Sequence, residues 1–86
     1  METQHSMRSQ SSPAVVSLAS LGIDQDAVVC ATAHRRLSEL GFTPGTHVRV
    51  IAKAWFRGPI AVRVGSDTFA LRCHEAQDLM VAPITP

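Results

Sequence analysis

The segment Arg35 to Thr46, RRLSELGFTPGT, constrains this chain more than any other. Leu37 and Leu40 stand three apart and share one helix face, which leaves Arg35, Arg36 and Glu39 to water. Gly41 suits the left-handed position that stops a helix, and Pro44-Gly45 suits the central pair of a type II turn. A strand-like run opens at once at Val48. So short a helix has no stability of its own, so it must pack onto a sheet. The segment predicts a compact β-rich domain with a helical lid, not a bundle.

The rest of the chain supplies that sheet. Val16, Leu18 and Leu21 are the first expected buried side chains, with one helical turn at Leu18–Gly22. Asp26 to Ala33 reads as a first strand, and Thr32 is placed to cap the helix after it. Between His47 and Ala54 the pattern alternates. Val48, Val50 and Ala52 are expected on one face, and His47, Arg49, Ile51 and Lys53 on the other. Trp55 to Pro59 is a loop, and Ile60 to Val64 is a third strand. Gly65-Ser66-Asp67 is a turn, and Thr68 to Arg72 a fourth strand with Phe69 and Leu71 inward. His74 to Leu79 is helix-compatible, and Met80 to Ala82 closes as a fifth strand stopped by Pro83. Short strands at this spacing predict a mainly β fold: a small barrel of about five strands that closes to remove its edges, with one or two short helices.

Size and charge narrow the functions. At 86 residues there is room for a single domain, and a net charge of +1 draws the chain toward neither nucleic acid nor a membrane surface. Apolar runs fall far short of the ~20 residues that span a bilayer, so no membrane insertion is expected. Residues 1–12 are polar, without the apolar stretch of a secretory leader, and read as a flexible tail before a domain at 13–86. Two cysteines are too few for a disulfide framework, which with the missing leader sets a cytoplasmic expectation. No glycine-rich phosphate loop, paired carboxylates or nucleophile–base spacing is present, so no catalytic residue is expected. The chain reads as a binding module, not an enzyme.

Three stretches carry a family likeness. They are Arg36-Leu37-x-x-Leu40-Gly41-Phe42-x-Pro44-Gly45-Thr46-x-Val48-x-Val50, then Gly58-Pro59-Ile60-x-Val62-x-Val64, then Phe69-Ala70-Leu71-Arg72-x-x-Glu75-Ala76. Over roughly Ser17 to Ala82 the sequence resembles the FeoA family of ferrous-iron-transport accessory proteins, whose domain also ends certain iron-dependent repressors. The resemblance implies an SH3-like barrel. It also implies a cytoplasmic partner role toward FeoB, the membrane ferrous-iron transporter with an N-terminal GTP-binding domain. The residues carrying it are structural: Leu37, Leu40 and Leu71 for the core, Gly41, Pro44, Gly45 and Gly58 for the turns. The polar tail and the two cysteines are departures from the family pattern.

Two residue sets are candidates for binding. Trp55, Phe56 and Arg57 place two large aromatics beside a cation in one loop, and Ile51 would extend the patch. Either they cap an open barrel end, or they anchor a protein partner, since Trp and Arg are enriched at interface hot spots. Arg36 adds a charge that an acidic partner surface would meet. The other strand arginines read as a solvated face that discourages edge pairing. The second set is Cys73 and His74, with Glu75 beside them and His34 as a third ligand; Cys30, four before His34, is another donor. No Cys-x-x-Cys or His-x-x-x-His pair exists, so any metal would be an optional divalent transition ion, zinc or ferrous iron, bound in a delivery role or bridging a homodimer.

Overall fold

The computed structural model describes residues 14–84. Six antiparallel strands form one sheet in the order β1-β6-β2-β3-β4-β5. They are β1 Val16–Ser17, β2 Asp26–Thr32, β3 His47–Lys53, β4 Ile60–Val64, β5 Asp67–Leu71 and β6 Leu79–Ile84. A 3-10 turn at Leu18–Ser20 follows β1. Helix α1, Arg35–Leu40, joins β2 to β3, and helix α2, Cys73–Gln77, joins β5 to β6. The mainly β expectation stands. The strand β1 was not foreseen, because two residues carry no period; pairing of Val16 with Val81 and Ser17 with Met80 defines it. Among the described residues β1 and β5 do not pair, so the ladder stays open rather than closing. The shortness of β1 protects that edge instead. The expected tail, residues 1–12, lies outside the described residues, as does the proposed boundary at 13.

One core takes a side chain from almost every element: Leu18, Val29, Leu37, Val50, Val62, Leu71 and Val81 are all sealed from solvent. Helix α1 enters it through the motif that ends it. Gly41 sits at φ +112, its N–H donates to the Ser38 carbonyl at 3.2 Å, and the Phe42 N–H donates to the Leu37 carbonyl at 2.9 Å. This is the paired closure that a left-handed terminal residue permits, and it turns Phe42 back beside Leu37. Both side chains are fully buried, and Phe42 is the largest such residue among the described residues. Phe69 meets it edge-on at 5.7 Å between ring centres. Leu40 is only half-buried at the rim of this cluster, so Leu37 and Phe42 hold the place that Leu37 and Leu40 were expected to share. The turn after it forms as expected, with Gly45 at φ +92 and Thr46 N–H donating to the Thr43 carbonyl at 3.0 Å.

Two bulges break the expected alternation. Against β4, Val50 pairs with Val62 but Ala52 pairs with Ala61, so Ile51 is an extra residue. The phase therefore slips by one after Val50. Ala52 is exposed, Ile51 is half-buried, and Lys53 comes opposite buried Ile60, with its Nζ donating to the Ala19 carbonyl at 3.0 Å. On β2 the extra residue is Cys30, between Val29 and Ala31. Pro83 does not stop β6. It pairs with Ala27, beyond the reach of the two-residue β1, so its missing N–H costs no ladder bond on that open side. Nor does Thr32 cap α1: its hydroxyl accepts from the His34 N–H at 3.1 Å, and His34 holds the cap position.

Candidate partner-binding site

The β3–β4 hairpin ends in a tight four-residue tip. Ala54 N–H donates to the Pro59 carbonyl at 3.0 Å, and Gly58 N–H donates to the Trp55 carbonyl at 3.1 Å. The central residues Phe56 and Arg57 both lie in the left-handed region, at φ +54 and +62. Positive φ at both positions is the signature of the turn whose twist matches paired strands, normally built from Asn-Gly. Here it carries a bulky aromatic and an arginine, at about 1–2 kcal/mol for each left-handed residue. Gly58 has ordinary φ, so backbone freedom is not its reason for being there. An added Cβ would come within 2.6 Å of Ala54 Cβ, so glycine supplies space at the neck of the tip.

The tip holds its aromatics clear of the body. Trp55 is 86% exposed and Phe56 96%, with their rings 6.5 Å apart. They do not cap the core. Replacing Arg57 with glycine is expected to raise stability by about 0.5–1 kcal/mol, the strain relieved less the extra backbone entropy of glycine. Urea unfolding checks this, and a loss of stability would show that the turn is not strained. Ile51, half-buried in its bulge, stands at the base of the tip and not on its exposed face.

Arg36 is committed elsewhere. Its Nη1 donates to Glu75 Oε1 at 2.7 Å and Oε2 at 2.6 Å, bridging α1 to α2. Glu75 is 4% exposed, and its Oε1 also accepts the Arg72 N–H at 2.9 Å. Burial pushes the Glu75 carboxyl up, but the Arg72 amide, the Arg36 hydrogen bonds and the Arg36 and Arg72 charges together hold it below its ordinary value. Sequence spacing offered one clue to this pair: Glu75 stands three after Arg72, the position from which a glutamate reaches back to a helix start.

The second residue set is only partly assembled. His34 and His74 meet edge-on with ring centres 5.5 Å apart, and His34 Nε2 lies 2.8 Å from Asp78 Oδ2. Asp78 was not among the expected residues. Cys73 Sγ accepts from Gln77 Nε2 at 3.6 Å, within its own helix. Among the described residues, no group of three or more His, Cys, Asp or Glu side chains is arranged to hold a metal ion.

A bulged antiparallel sheet with two helix lids and one projecting aromatic tip defines a small SH3-like domain. Residues 16–83 match the FeoA domain model, and the chain belongs to that family. It is 39% identical to a Stenotrophomonas maltophilia FeoA solved with zinc and described as an SH3 domain protein that possibly acts as a ferrous iron transport activating factor. That match covers 77% of this chain and 88% of the other, with TM-score 0.67. A crystal structure of an iron uptake regulatory protein, FeoA, is 30% identical over 83% of this chain and 99% of the other, at TM-score 0.75. A FeoA-like protein from Clostridium acetobutylicum shares 25% identity over 84% of this chain and 90% of the other, at TM-score 0.76. A manganese-dependent transcriptional repressor shares the fold at TM-score 0.75, with this chain spanning 44% of it. No curated protein matches the chain. Family and structural likeness together place it with ferrous iron transport.

Proposed function

We propose that this protein is a non-catalytic, cytoplasmic accessory of ferrous iron uptake that docks on the GTP-binding region of FeoB through Trp55 and Phe56. The observation that carries the reading is the tip itself: two aromatics at 86% and 96% exposure, held out by a strained turn that serves no packing purpose. Large aromatics beside an arginine are what a hot spot on a partner surface uses. A bound accessory changes a nucleotide cycle only by favouring one of its states, so affinity is expected to differ between GDP and a GTP analogue.

The test is a titration of isotope-labelled protein with the GTP-binding portion of FeoB, followed by amide NMR in each nucleotide state. Trp55→Ala is expected to weaken binding about 30-fold, the loss of a hot spot of about 2 kcal/mol, with the fold unchanged. Equal binding by Trp55→Ala would remove the tip from the interface. Tip shifts that appear without FeoB and grow with protein concentration would assign it to a second copy of this chain.

A second reading, metal delivery, is favoured by one observation: the His34 and His74 rings meet at the α1–α2 junction, with Asp78 Oδ2 2.8 Å from His34 Nε2. The zinc in the Stenotrophomonas relative supports it as chemistry, and imidazole with carboxylate suits zinc. It predicts stoichiometric zinc binding by calorimetry that His74→Ala abolishes. Unchanged binding in His74→Ala and in Cys73→Ser would end it.

A further inference from the structure

At the end of the β3–β4 hairpin opposite the tip lies a depression of about 280 Å3, lined by Asp26, His47, Val48, Arg49, Arg63 and Gly65. Strand register builds it. Asp26 pairs with Arg49 and Arg49 with Arg63, so these three side chains stand in one row across β2, β3 and β4. His47, two before Arg49, shares that face. Gly65 contributes no side chain, and the space beside it is open to 4 Å.

The charges in this row do not balance. Asp26 Oδ1 lies 3.2 Å from His47 Nε2 and 3.7 Å from Arg49 Nε, while Arg49 Nη2 donates to the Asp24 carbonyl at 3.4 Å. Arg63 has no acidic partner among the described residues. Two arginines directly opposite on paired strands repel, and among the described residues the Arg63 side chain makes no hydrogen bond or ion pair that offsets this. Edge protection does not explain them either. Arg49 and Arg63 lie on β3 and β4, each paired on both sides, and not on an edge strand.

We infer that the depression between Arg49, Arg63 and His47 binds a carboxylate, supplied by an acidic protein segment or by a small carboxylic acid. The charge count selects the class. Two arginines against one aspartate leave a single positive charge among the arginine and carboxylate groups, which a carboxylate neutralises. A phosphate dianion would overshoot it and face Asp26. Guanidinium groups also match the two oxygens of a carboxylate with paired hydrogen bonds. At about 280 Å3 the space lies just under the about 300–1,000 Å3 of whole-ligand sites, so it takes an acidic group and not an entire cofactor. This inference does not rest on docking at the tip.

The test is amide NMR of the labelled full chain, titrated at constant ionic strength with acetate, with inorganic phosphate and with a short glutamate-containing peptide. Saturable shifts at His47, Gly65 and Ser66 with acetate are expected, at least about tenfold weaker in Arg63→Gln and unchanged in Trp55→Ala. Arg49→Gln provides the second variant. Tighter binding of the peptide than of acetate assigns the carboxylate to a protein segment, and equal binding assigns it to a small acid. Absence of saturable shifts, shifts that persist in both arginine variants, or phosphate binding tighter than acetate would each overturn the inference.

Discussion

Truncating Phe42 to alanine is expected to cost about 3–5 kcal/mol, the range for emptying a fully buried aromatic site. The ring is fully buried, packs edge-on with Phe69 at 5.7 Å, and follows directly on the Gly41 turn that ends α1. The hole cannot collapse easily, because the Phe42 and Gly41 amides are fixed to the Leu37 and Ser38 carbonyls. Small domains hold about 5–15 kcal/mol in total, so the variant stands near unfolding at physiological temperature. Urea denaturation measures it directly. A loss under about 1 kcal/mol, the size of an ordinary substitution, would mean that the aromatic does not seal the junction of α1 with the sheet.

Replacing Arg36 with alanine is expected to cost about 2–3 kcal/mol at neutral pH. This is less than the about 3–5 kcal/mol of a fully buried pair, because the Arg36 side chain is 52% exposed and water replaces part of it. The sign of the pH dependence is fixed by Glu75. Its folded pKa lies below the ordinary 4.5, so the stability it supplies is complete above that value and is lost as pH falls through the folded pKa. The bond to Arg36 needs the ionised carboxylate, so the gap between wild type and variant narrows over the same descent. Parallel unfolding curves from pH 7 down to pH 3 check both claims. A gap that holds constant at low pH would show that the pair does not carry the effect.

Local devices were readable from the chain, and long-range ones were not. Gly41 and the Pro44-Gly45 turn act within a few residues, so their spacing states their geometry. Ile51 looked outward because β3 alternates perfectly on paper; only the partner strand reveals that one residue is extra. Arg36 read as a free surface charge because its partner stands 39 residues away. For Trp55 and Phe56 the sequence left two readings open, core cap or anchor, because large aromatics suit either. Their exposure removes the core cap and leaves the anchor as the reading proposed above. His34 and His74 were chosen for their chemistry, and the fold does bring their rings together, while Asp78 pairs with His34 and Cys73 meets Gln77 within its own helix.

The bulge at Ile51 has an evolutionary corollary. No residue from Ile51 to Pro59 is fully buried, while Val50, just before that stretch, and Ile60, just after, both are. The nine positions between them lie outside the core, tied back to the body through the Lys53 bond to the Ala19 carbonyl. Apart from Gly58, whose added Cβ would meet Ala54, their side chains can change without disturbing the core. Change on this scaffold can therefore gather in the hairpin end while the core stays nearly fixed.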